Sequence, residues 1–153
     1  MSVQHDTYTV EHIFTQPPAA VFAAWSSPEA KAKWFTAPHE GVNSGPLELD
    51  FRIGGRETLS SVWTQKGFTS HYHAVYQNIV PDERIVTAST MHIDDRLLSV
   101  SVGTMEFRAE GTGTRLVVTD SGAYLDVEEP VVSRELGMKL LLDQLEASLA
   151  SKP

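Results

Sequence analysis

His71 and His73 stand two residues apart in a run that alternates like a strand, so both rings project from one face and could meet one ligand or metal ion. A zinc site needs three or four protein ligands, and no third is recognisable by spacing; His92 could join only if its strand lay alongside. No metal is therefore expected, and the ordinary role for such rings is hydrogen-bonded or solvent-facing. His5, His12 and His39 have no evident partner. Glu135 breaks the apolar stripe of the last helical segment. Buried, it would need a partner or a raised pKa and could serve as a general acid or base. No His or Arg partner for it is apparent, and a surface position is the simpler expectation. Arg52 and Arg56 flank Gly54-Gly55 and could meet an anion, but the segment lacks the glycine run and following Lys-Ser/Thr of a phosphate loop. Ser99 and Ser121-Gly122 form no nucleophile elbow, and there is no HExxH motif, paired acid cluster or calcium loop. The catalytic residues, if the chain has any, are unknown from these patterns.

Aromatic residues offer a different chemistry. Tyr72 and Tyr76 lie on one face of the same strand, each with an apolar ring and one polar handle, suited either to sheet packing or to lining a pocket. Trp34 ends a short helix just before a loop, where a pocket wall is often built. Trp25, Phe35, Phe51 and Trp63 are core candidates first.

The bulk properties narrow the field. At 153 residues and 41% hydrophobic content, the chain suits a single domain with a real core. The formal charge of -8 and the lack of any Lys/Arg run argue against a nucleic-acid partner. With no cysteine, disulfides, thiolate catalysis and cysteine-held metal centres are excluded. No segment reads as a signal peptide or as the roughly 20 apolar residues that cross a bilayer, so a cytoplasmic protein without membrane insertion is expected.

The elements that must position these groups are legible from periodicity. Residues 7–15 alternate, with Tyr8, Val10, His12 and Phe14 on one face of a first strand. Pro17-Pro18 starts a helix with Val21, Phe22 and Trp25 spaced along one side. Ser27 caps a second, with Pro28 in its first turn and Trp34 near its end. A loop over 39–46 leads to a strand carrying Leu47, Leu49 and Phe51, which Gly54-Gly55 ends in a tight turn. Further strands are predicted over 59–63, 68–80 (with a bulge near Asn78), 84–91, 97–108 and 115–119. Asp126 and Glu129 resemble a capping box, though Pro130 could delay the helix by a turn. In that last helix Val131, Met138, Leu142, Leu145 and Leu149 trace a stripe, with Leu141 beside it and Leu136 and Leu140 widening the face that should pack on the sheet.

These pieces in order resemble the START and birch-pollen-allergen-like superfamily, often called SRPBCC, and within it the bacterial proteins named for the activator of the heat-shock-protein-90 ATPase. The resemblance is carried by Pro18-Ala19-Ala20-Val21-Phe22-Ala23-Ala24-Trp25, Ser27-Pro28-Glu29 leading to Trp34-Phe35, Asp50-Phe51-Arg52-Ile53-Gly54-Gly55, and residues 79–86. The hairpin at 113–118 and Gly137-Met138 with Leu145 complete it. It implies an α+β helix-grip fold, in which a curved antiparallel sheet wraps a long C-terminal helix and two short N-terminal helices brace one end. Relatives often enclose an apolar cavity between helix and sheet. Many place Trp after the glycine of the last helix, where this chain has the adaptable Met138.

The resemblance implies a small-molecule-binding protein with an apolar or aromatic ligand held by Trp34, Phe51, Tyr72, Tyr76, Met138 and Leu142, and no cofactor. His71, His73, His92 and Glu135 would be its polar pocket groups if they face inward. Two alternatives stay open: a cyclase, dehydratase or hydrolase-like enzyme using the same cavity, and a stress-related or co-chaperone-like interaction domain. A homodimer is compatible with the sequence, since cyclic dimers are common, but no feature requires one.

Overall fold

The computed structural model describes residues 1–36, 41–127 and 130–150, without the side chains of 130–133. His39, Glu128, Glu129 and the Val131 side chain, and with them the proposed capping box, lie outside the described residues. The first strand, β1 (Val3–Phe14), keeps the expected alternation, with Tyr8, Val10 and Phe14 buried. Helix α1 (Pro18–Ser26) follows, then α2 (Pro28–Phe35), each opening on a proline whose missing N–H no helix needs at that position. Ser27 Oγ accepts from Ala30 N–H at 3.0 Å, which satisfies one of the orphan donors of α2. Ser27→Ala is expected to lower stability by about 1 kcal/mol, measured by denaturant unfolding.

Short β2 (Val42–Ser44) and β3 (Glu48–Leu49) lead to β4 (Arg56–Trp63), β5 (Phe68–Val80), β6 (Arg84–Ile93), β7 (Arg96–Glu110) and β8 (Gly113–Leu125). They form one antiparallel sheet in the order β1-β8-β7-β6-β5-β4-β2, with β3 also on β4. Register slips between Tyr76 and Asn78, where the sequence suggests a bulge, and again between Met91 and His92. Such slips bend strands and strengthen twist, as a sheet curling around a helix requires. Helix α3 (Pro130–Ala150) lies in that curve, so the molecule has the α+β helix-grip fold.

Three local expectations are corrected. Leu47, Leu49 and Phe51 do not share a strand: Asp50 N–H bonds Arg56 O, and Phe51 leaves the ladder to pack edge-on against Phe22 and Tyr76. The turn closes so tightly at Gly55 that a Cβ there would stand 2.0 Å from Asp50 O. Strand β8 runs six residues past Thr119, because β1 pairs with it from Phe14↔Thr114 to Val3↔Leu125 and so satisfies even its polar stretch. Leu136 and Leu140 do not widen the packed face of α3: each is 55% exposed, on the side turned from Leu142 and Leu145.

The core gathers at the end of the sheet covered by α1 and α2. Trp25 and Trp34 meet at 4.7 Å, the Trp34 indole N–H donates to Ala24 O at 3.0 Å, and Phe22 and Phe107 close the cluster. Helix α3 runs close along α2 and β1, at the two rims of the curved sheet. At its far end His12 Nε2 lies 3.0 Å from Glu146 Oε1, giving His12 a partner that sequence spacing could not indicate.

Candidate functional site

Cross-strand register places small side chains side by side on the face turned toward α3. Ala74, Ser89, Ser101 and Gly122 form one row across β5, β6, β7 and β8. The adjacent row on one side reads Tyr76, Thr87, Gly103, Asp120 and Tyr8; the row on the other reads Leu59, Tyr72, Met91, Ser99 and Tyr124. Nearer α1 the same face carries Ile85, Met105, Val118 and Val10, an ordinary apolar layer. The sheet thus changes from large apolar residues to Ser, Thr, Gly and Ala while staying under the helix. Thr87, Ser89, Ser99 and Ser101 are all buried, although hydroxyl groups are poor core fillers. The result is a floor of small polar groups bounded by tyrosines.

One end of this floor is closed by a buried ion pair. Lys31, 4% exposed, reaches from α2 to Glu57, 1% exposed, with Nζ 2.7 and 2.8 Å from the two carboxylate oxygens. The Tyr76 hydroxyl also donates to Glu57. The ammonium lies 4.6 Å from the centre of the Phe35 ring and 5.2 Å from that of Trp25, both favourable cation–π distances. Burial, then the Glu57 charge and the hydrogen bond to it, holds the Tyr76 phenol far above its usual pKa.

The other end carries a second cation. Arg134, on α3, places Nη2 3.4 Å from Asp120 Oδ2, while the Tyr124 hydroxyl points at Asp120 Oδ1 from 3.4 Å. The guanidinium also sits over the Tyr124 ring at 5.7 Å. Its buried Nε has no hydrogen-bond partner among the described residues. Burial opposes the Arg134 charge, but Asp120 and the surrounding phenols outweigh it and raise its pKa. Burial and then Asp120 raise the Tyr8 phenol; burial and then Glu57 raise that of Tyr72, which also feels Asp120 and Arg134. Tyr72 therefore stands between the two charged ends.

The residues named from sequence divide between these surroundings. Trp34, Tyr76 and Leu142 are fully enclosed, Trp34 in the core and Tyr76 on Glu57. Phe51, Tyr72 and Met138 are partly buried, and Phe51 and Met138 pack against the core. His71 and His73 project from the opposite face to Tyr72 and Tyr76, and His71 Nδ1 lies 2.7 Å from Ser60 Oγ. His92 stands directly across from His71. Glu135 pairs with Lys139 at 3.3 Å along α3. Arg52 is held by Asp50 at 2.8 Å and Arg56 is exposed, so the glycine turn gathers no anion-binding pair. Among the described residues no cluster of His, Asp or Glu is arranged to hold a metal, and no helix is long and apolar enough to cross a membrane.

Lys31, Glu57, Asp120 and Arg134 escape a reading by motif, yet periodicity marks each. Lys31 is three residues before Trp34 and shares its helical side. Glu57 alternates in phase with Leu59, and Asp120 with Leu116 and Val118. Arg134 precedes Met138 by four and so continues the apolar stripe of α3. A charge in phase with a buried face is the signal.

Known structures agree with this architecture. A protein from Rhizobium leguminosarum is 37% identical, with 99% of this chain and 98% of that one aligned at a TM-score of 0.91. Protein Mll3558 from Rhizobium loti is 34% identical over 97% and 99% of the two chains, at 0.87. Protein CV1439 from Chromobacterium violaceum is 28% identical over 95% and 98%, at 0.77. No curated protein matches the sequence. The family model described as activator of Hsp90 ATPase homolog 1-like protein matches residues 15–150. With that match spanning nearly all of the sequence, the chain belongs to the activator of Hsp90 ATPase homolog 1-like family.

Proposed function

We propose that the chain binds a small molecule with an apolar or aromatic body, held between α3 and the floor of small residues. The observation that carries this is the change along the inner face from Ile85, Met105 and Val118 to Thr87, Ser89, Ser101 and Gly122 beneath the same helix. Helix α3 rests on the rims, at α2 and β1, so large side chains would be needed to fill the middle, and the sheet supplies small ones. Tyr72, Met91 and Met138 are only partly buried there, as residues lining a ligand site would be. Of the six contact candidates in the sequence, Tyr72, Phe51 and Met138 would lie nearest the ligand, with Leu142 beneath them and Trp34 and Tyr76 as supporting walls.

Binding is favoured over catalysis because the buried carboxylates are already engaged. Glu57 is held by Lys31 and Tyr76, Asp120 by Arg134 and Tyr124, and the paired histidines lie on the other face. Native mass spectrometry of gently purified protein tests the proposal: a reproducible added mass is expected, and the same spectrum reads the oligomeric state. Met138→Trp should reduce the bound fraction at least about tenfold, the equivalent of ~1.4 kcal/mol, with little change in melting temperature. Undiminished loading of that variant would remove Met138 from the site. A bare wild-type mass, together with no binding of naphthalene-sized probes in solution, would overturn the proposal.

A further inference from the structure

The Arg134 side chain carries a buried polar atom that is unpartnered among the described residues. A guanidinium Nε–H can only donate. Here it is buried and unpartnered, while Nη2 of the same group is committed to Asp120. Leaving a buried donor unmade costs free energy, and charged donors cost most. A second orphan, the Ser101 hydroxyl, neighbours the same Tyr124 that the guanidinium overlies. The Ser101 hydroxyl approaches the Tyr124 phenol, and its oxygen is buried without a complete hydrogen bond. It occupies the space over Gly122, where a Cβ would stand 2.5 Å from Ser101 Oγ, so only glycine opposite leaves that hydroxyl its place.

Resting on the binding role proposed above, we infer that the ligand carries a neutral carbonyl oxygen, which accepts from Arg134 Nε–H and the Ser101 hydroxyl, on an apolar body that lies along Ser89 and Ala74 toward Tyr72. An acceptor is required because the Arg134 orphan is a donor and Ser101 can donate as readily as accept. A neutral acceptor is favoured because the Arg134 charge is already matched by Asp120, beside which a ligand carboxylate would be repelled. Glu135 adds negative potential at Tyr8 on the same side. Tyr8, Tyr72 and Tyr124 are all held protonated by their burial, so the walls are uncharged phenols. The carbonyl could belong to a ketone, ester or amide, which share this chemistry.

Titration of the full chain with 2-acetylnaphthalene, 2-ethylnaphthalene and 2-naphthoate separates the alternatives, because the three share a ring system and differ in the head. The ketone should bind about tenfold more tightly than the hydrocarbon, with naphthoate weaker than the ketone. Arg134→Lys keeps a cation for Asp120 but loses the Nε–H, and Ser101→Ala trims only the hydroxyl. Each should erase most of the ketone's advantage while 2-ethylnaphthalene binds as before. Should Arg134→Lys fail to fold, Ser101→Ala still decides. Equal binding of ketone and hydrocarbon by the wild type, or tightest binding of naphthoate, overturns the carbonyl assignment and leaves the binding role intact. Binding of none of the three overturns it as well, and an added mass in the native spectrum then preserves the binding role alone.

Discussion

Lys31→Met should destabilise the protein by about 3–5 kcal/mol, a large part of the stability of a domain this size. The methionine stem fills the space between Trp25, Phe35 and Trp34, so little packing is lost. What is lost is the partner of Glu57. That carboxylate is 1% exposed and would retain only the Tyr76 hydroxyl. Removing one member of a buried pair leaves an uncompensated charge, whereas removing both with apolar residues of similar size is often neutral. The double variant Lys31→Met/Glu57→Leu should therefore recover most of the loss, which a double-mutant cycle of urea unfolding would measure. A Lys31→Met loss below about 1 kcal/mol would mean that the pair contributes no more than a surface salt bridge.

The tyrosines give the second large effect. All four in the chain, Tyr8, Tyr72, Tyr76 and Tyr124, have pKa values raised first by burial. In the unfolded chain they ionise near pH 10. Above that pH the unfolded state has released protons that the folded state keeps, so unfolding becomes more favourable as pH rises. The contribution is fully present below pH 10 and is lost above it. Each phenol that stays protonated in the fold weakens stability by about 1.4 kcal/mol per pH unit. Phenolate absorbance should therefore appear together with loss of near-ultraviolet circular dichroism, in one cooperative step. Tyrosine titrating near pH 10 while the fold persists would show that at least one of these phenols is open to water.

Much of the fold could be read from the sequence because it rests on period and punctuation. The two prolines that open α1 and α2, the alternation of β1, the slip near Asn78 and the hairpin at Gly113 are local signals, and local chemistry decides them. The site was harder because its parts are local nowhere. Ser89 and Ser101 look like ordinary strand residues until register sets them beside Ala74 and Gly122. Lys31 and Glu57 meet across 26 positions, and Asp120 meets Arg134 only when α3 folds back over β8. The placement of Tyr72 on the inner face is legible because its ring type and strand phase are both intrinsic. His71 and His73 share a face by alternation, and the same alternation sets them opposite Tyr72.

The pairing of β1 with β8 has a consequence during synthesis. Val3 lies opposite Leu125 and Phe14 opposite Thr114, so β1 has no strand partner until the chain has been made almost to its last helix. At translation rates of about 5–20 residues per second, this is a wait on the order of 5–20 s. Throughout it, Tyr8, Val10 and Phe14 have no sheet to enter, on a segment whose backbone donors and acceptors are open to any neighbouring nascent chain. Production in cells should thus be limited by the fate of this waiting strand. Slower growth or more abundant chaperone should raise soluble yield, although in the finished molecule β1 is paired with β8 along its whole length.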